Sequence, residues 1–218
     1  MNPKHHPGDD LLMAYAAGSL DEPLALVIAT HLALCPRCRA EVKRMEALGG
    51  VMLEQQDAAP LDEGGIDRIL ARLDEPEDDA PQAAPETDGD IDIRVPRPLR
   101  DYLNGDIEQL DWKSFRGLQK VELLTEAEGF HTRLMRIKPG TAMPSHTHEG
   151  TELTLVLAGG FSDETGHFVR GDVAECDASV EHRPIADEGE DCICLAVTDA
   201  PLRLTGPVGR MLNPFLDI

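Results

Sequence analysis

The chain has 218 residues, 41% of them hydrophobic and 28% charged, with a formal net charge of −21 at pH 7. That length holds one large domain or two small ones, and the change of texture along the chain favours two. A negative field of this size repels phosphate backbones, which argues against direct nucleic-acid binding and favours a basic protein partner. The longest apolar run, Leu24 to Cys35, is broken by Thr30 and His31 and is too short for a bilayer. The opening MNPKHHPGDD has no apolar leader core, so no membrane association and a soluble, cytoplasmic chain are expected. Five cysteines, an odd number with two in a CxxC, suit a reducing compartment better than a disulfide framework.

The first predicted helix lies in DDLLMAYAAGSL, where an aspartate caps an apolar stripe and Gly18 stops it. A second runs from Asp21, as cap, and Pro23 through LALVIATHLAL, and a third from Pro36 through CRAEVKRMEALGGVMLEQQ. Ile66, Ile69, Leu70 and Leu73 then mark a short helix with a narrow apolar stripe, free either to pack on its own domain or to lie in a partner's groove. Between Asp74 and Asp92 there are nine acidic residues, no basic ones and three prolines, the composition of a solvated, extended linker. Beyond it the texture changes to short alternating runs, TRLMRI, ELTLVL and CICLAV, separated by Gly, Pro and Asp. That is the pattern of an all-β barrel or sandwich. The expected organisation is a helical domain over 1–73, an acidic linker over 74–93 and a β domain over 94–218.

His31 precedes Cys35 by one helical turn, so their side chains converge near the end of the second helix, and Cys38 follows across the C-P-R-C knuckle. The thiols face the positive end of the third helix, which favours their ionised form. Three ligands of this softness leave one place on a tetrahedral zinc, and His5 or His6 can fill it. A closed site of two His and two Cys is structural; the competing reading is a redox dithiol beside an unrelated histidine.

These residues, His6, 24 others, His31, three others, Cys35, two others and Cys38, resemble the zinc-binding anti-sigma domain. That resemblance covers about residues 1–73 and implies His6 as the fourth ligand. It further implies a small helical module that sequesters an extracytoplasmic-function sigma factor.

In HTHEGTE, His146 and His148 are two apart and share one face of a strand, while Glu152 opens the next run. Glu152, Thr154 and Val156 then face a barrel interior, and Leu153, Leu155 and Leu157 face outward against a second layer or a partner. His182, in VEHRP, supplies a fourth ligand from a later strand. With Gly140 and Gly159 the stretch reads G-x5-H-x-H-x3-E-x6-G and resembles the first metal motif of the cupins, whose fold is a double-stranded β-helix. The second motif keeps Gly171 and His182 but lacks the usual proline and glycine between them and the asparagine after the histidine. Three His and one Glu hold several divalent metals, with zinc the expected one.

A zinc anti-sigma module followed by a cupin, together with the stretches DCICLAVTDAPLR and ETGHFVRGD, is similar to the ChrR-type anti-sigma factors. That resemblance implies a regulator in a 1:1 complex with a sigma factor, released by singlet oxygen or an organic peroxide sensed in the cupin. The other reading is an enzyme, a metal-dependent cupin oxygenase or isomerase with the helices as an oligomerisation unit. Cys192 and Cys194, two apart on one strand, lie near or beyond the usual disulfide span and read as buried core thiols. Cys176 has no partner that sequence identifies.

Overall fold

The computed structural model describes residues 2–60, 62–73, 92–103, 105–115 and 117–205. The acidic linker, apart from its last two residues, lies outside them. The chain forms two compact units, one made of residues 1–47 together with 92–218 and the other of residues 48–91.

The helical region comprises α1 (Asp9–Ala16), α2 (Glu22–Leu34), α3 (Pro36–Glu54) and α4 (Gly65–Leu73). Gly8, not an aspartate, takes the first cap, and Asp9 and Asp10 instead place their charges in the opening turn, where the helix dipole favours them. Asp21 precedes α2 without a side-chain capping bond, and Pro23 sits in its first turn, preset for the helix. A break at Cys35, whose backbone is extended, separates α2 from α3 and turns both cysteines toward one point.

α2 is apolar almost all round, a pattern that requires neighbours on both faces. Ile28 and Leu32 pack with Leu12, Val42 and the two cysteines in a small helical core. Leu26 and Val27 face the other way, into the main core with Leu155, Leu195 and Leu99. The second layer met by the Leu153, Leu155, Leu157 face of its strand is therefore built in part from the chain's own second helix.

The C-terminal part opens with a short α5 (Arg97–Arg100) and is otherwise β-rich. Its strands are β1 (Lys113–Phe115), β2 (Leu118–Leu123), β3 (His131–Ile137), β4 (His146–His148), β5 (Glu152–Ala158) and β6 (Gly160–Ser162). They continue with β7 (His167–Val169), β8 (Val173–Cys176), β9 (Glu181–His182), β10 (Ile185–Ala186), β11 (Cys192–Thr198) and β12 (Leu202–Leu204). A six-stranded sheet runs in the order β1-β2-β3-β11-β5-β8, and two three-stranded sheets run β10-β6-β7 and β12-β4-β9. The strand pairs within them are antiparallel, as short crossings of the chain allow. In the central sheet β5 and β11 are buried along their whole length apart from Glu152, with one face in each of two cores.

Candidate metal centres

Two groups of potential ligands stand out among the described residues: His6, His31, Cys35 and Cys38, and His146, His148, Glu152 and His182. In each group the ligand atoms lie within 4.8 Å of one another.

The first group forms where α2 ends and α3 begins. His6 Nδ1 lies 3.5 Å from Cys35 Sγ and 3.4 Å from Cys38 Sγ. His5, the alternative on spacing, turns instead to Phe168, with ring centroids 4.4 Å apart. The backbone N–H of Cys38 donates to Cys35 Sγ at 3.5 Å, a bond that supports a thiolate. His31 is fully buried, and its Nδ1–H donates to the carbonyl of Gly171 at 2.8 Å. Its Nε2 therefore presents a bare lone pair, and that buried atom has no hydrogen-bond partner among the described residues.

The electrostatics agree with a cation-binding role. Burial, then the Arg37 charge, lowers the pKa of His6, and burial lowers that of His31; both shifts favour the neutral imidazole that a ligand must be. Burial, then Cys35, pushes the Cys38 thiol up to about 12. At Cys38 that burial outweighs the pull of the helix N-terminus. Two buried sulfurs beside two neutral imidazoles suit a soft divalent cation in tetrahedral geometry.

The second group is assembled from three strands. β4 carries His146 and His148, which share a face because they are two apart, and β9 brings His182 beside β4, opposite His146. Glu152 begins β5. His182 Nε2 lies 2.9 Å from His146 Nε2 and 3.1 Å from His148 Nε2. His146 Nδ1–H donates to the Pro144 carbonyl at 2.8 Å, and His182 Nδ1–H donates to Asp163 Oδ2 at 2.7 Å. In the neutral tautomers these bonds select, both Nε2 atoms lack a hydrogen and aim lone pairs at each other, a contact that repels unless a cation lies between them.

Burial holds His148 down to about 4, and it also lowers His146. The same burial raises the carboxyl of Glu152, which accepts a bond from the Thr154 hydroxyl at 3.2 Å. For Asp163 burial works upward, but hydrogen bonds from Thr165 and His182 outweigh it and hold the carboxyl below its usual range. Its side chain is wholly buried and stays an acceptor for the His182 N–H. Replacing Asp163 with Ala is expected to weaken metal binding here about 10–100-fold by chelator competition; an unchanged affinity would contradict an orienting role.

Cys192 and Cys194 are buried, with sulfurs 3.4 Å apart, beside a register shift in the β5–β11 pairing at Ile193 and Cys194. Cys176 lies on β8 opposite Glu152, its sulfur 3.9 Å from His182 Nδ1, and burial pushes its thiol up to about 12. Two contributors carried no local sequence signal, the carbonyl of Pro144 and the carboxylate of Asp163. Gly171 stood in the second cupin motif, but its carbonyl as an acceptor for His31 had no signal, because a backbone acceptor can be any residue type.

No helix among the described residues is long and apolar enough to cross a membrane. Residues 102–201 match the family model described as the ChrR cupin-like domain, and residues 9–39 match a zinc-finger family. The anti-sigma-E factor ChrR of Cereibacter sphaeroides is 42% identical over 218 residues, all of both chains. The crystal structure of Rhodobacter sphaeroides SigE in complex with the anti-sigma ChrR is similar with a TM-score of 0.78 and 41% identity, covering 90% of this chain and 99% of that one. A cupin protein from Ralstonia eutropha is similar at a TM-score of 0.42 and 21% identity, over 48% of this chain and 72% of that one. A helical N-terminal region and a β-rich cupin-like C-terminal domain, matched along the full length to a regulator rather than an enzyme, lead to one conclusion: the chain belongs to the ChrR family of anti-sigma factors.

Proposed function

We propose that this protein sequesters an extracytoplasmic-function sigma factor in a 1:1 complex in the cytoplasm, and releases it when singlet oxygen or an organic peroxide alters its cupin-like domain. The full-length identity to an anti-sigma factor carries this reading. In it, the helical module is a zinc-bound all-α unit with His6, His31, Cys35 and Cys38 as ligands, tied by the acidic segment 74–93 to a double-stranded β-helix over 94–218. His146, His148, Glu152 and His182 hold a second divalent metal there, zinc being the ion that the donor set and the parallel with the first site favour.

The geometry offers a surface for the partner. Along α4, Ile66, Ile69, Leu70 and Leu73 are 62%, 65%, 54% and 75% exposed, and no residue of that helix is buried. An apolar stripe at helical spacing is the form taken by helices that bind in a groove. The net charge of −21 steers it toward basic surfaces of a partner and away from nucleic acid.

Zinc bound at the first centre supplies a structural cross-link and no chemistry of its own. At the second, the chain's own residues set the response. His146 and His148 lie on one short strand and His182 on the strand beside it, so damage to one imidazole loosens β4 against β9. Replacing His146 or Glu152 with Ala should leave the sigma factor bound but blunt its release under singlet oxygen; a wild-type induction curve would count against sensing at this centre.

Co-expression with candidate sigma factors, purification and a metal count of the complex test the whole reading. The expected product is an equimolar complex with two metal equivalents. Failure to recover any sigma factor with metal-loaded protein would overturn it.

A further inference from the structure

Resting on the reading that His6, His31, Cys35 and Cys38 hold a metal, we propose that the Gly171–Asp172 turn of the cupin-like domain is a positioning part of that centre. Both histidine ligands are oriented by this turn, whereas both cysteines are placed by α2 and α3 alone.

Asp172 is fully buried. Its Oδ1 accepts the backbone N–H of Lys4 at 2.6 Å and of His5 at 3.0 Å, and its Oδ2 accepts that of Val169 at 3.0 Å. Val173 N–H donates to the His5 carbonyl at 3.2 Å. The peptide of residues 4 and 5 is thus clamped on the β7–β8 turn, and the next residue, His6, is delivered to the two sulfurs. One residue before Asp172, the Gly171 carbonyl accepts the His31 Nδ1–H and so fixes the tautomer that aims Nε2 at the cluster.

The turn is itself held rigidly. Val156 N–H donates to the Asp172 carbonyl at 3.0 Å, and Gly171 N–H donates to the Val156 carbonyl at 2.8 Å. Gly171 has φ +93°, and a Cβ there would lie 2.8 Å from Pro3 Cγ, so both backbone shape and close approach require glycine. Val156 belongs to β5, the strand that begins with Glu152, and β8, which leaves the turn, ends at Cys176 opposite Glu152. The dependence runs both ways. If residues 3–6 leave, Asp172 keeps one N–H donor of three, that of Val169, a loss that costs stability.

Cobalt(II) titration of the full chain tests this, because a thiolate-to-cobalt charge-transfer band reports the cysteine centre and not the three-His, one-Glu cluster. Asp172→Ala and Gly171→Ala should each weaken cobalt at the thiolate site about 10–100-fold, Asp172→Asn should fall between, and the exchange-protected His31 Nδ1 proton resonance should be lost in Gly171→Ala. Lys4→Pro removes one donor from the opposite side and leaves the cupin-like domain's sequence intact. It should weaken the band in the same direction, and so serves if the turn variants fail to fold. A wild-type band with unchanged affinity in these variants overturns the positioning role while the metal reading stands. No thiolate band in the wild type, or one that survives Cys35→Ser with Cys38→Ser, overturns the metal reading and this inference with it.

Discussion

Replacing Cys38 with Ser removes one metal equivalent and, with it, binding of the sigma factor by at least about 100-fold. The helical core that would remain is small: Leu12, Ile28, Leu32 and Val42 with the two cysteines. Burying those four side chains contributes about 6–12 kcal/mol together, and a structural zinc about 10–16 kcal/mol in small metal-dependent folds. The metal term is therefore at least as large as the whole of that core, and without it α1, α2 and the start of α3 lose the cross-link they share. Metal analysis beside calorimetric titration with the sigma factor reads both losses, and chelator treatment of the wild type should reproduce them. Metal-free protein that still bound its partner with wild-type affinity would show that the cysteine centre is not what shapes the binding surface.

Charge placed on α4 should act in the opposite way, abolishing binding while sparing the fold. Ile69 and Leu70 are 65% and 54% exposed, so Ile69→Asp and Leu70→Asp change stability by about 0.5 kcal/mol or less. In a partner's groove the same side chains would be central apolar anchors, each costing about 2 kcal/mol or more on truncation, and more when a carboxylate is desolvated in their place. The double variant is expected to bind the sigma factor at least about 100-fold more weakly with an unchanged melting temperature. An unchanged dissociation constant would remove α4 from the interface.

How much the sequence made legible depends on how local each contact is. His31, Cys35 and Cys38 fall within two helical turns, and His146, His148 and Glu152 within one strand and its successor, so spacing alone brought each set to one side. His182 depended on the pattern of a later motif, and only the pairing of β9 with β4 sets it against His146. The choice of His6 over His5 was open on spacing, since either could reach, and the clamp on residues 4 and 5 brings His6, not His5, beside the two sulfurs. The docking of α2 on the β-rich part was present as a signal of a different kind. A helix reading PLALVIATHLAL has no polar face to give to water, and an isolated three-helix unit cannot cover it. The close approach of the Cys192 and Cys194 sulfurs also lay outside a regular strand's geometry, and it coincides with a shift of register that no residue pattern announces.

His31 and the carbonyl that fixes its ring are 140 residues apart in the chain, and Lys4 and Asp172 are 168 apart. At about 5–20 residues per second, ribosomal synthesis separates the emergence of the His31 ring from that of its acceptor by roughly 7–28 s. The cysteine centre is consequently finished in two stages, thiols and imidazoles first and their tethering last. A nascent inhibitor passes through a period in which its helices are already made but nothing from the β-rich half yet holds them.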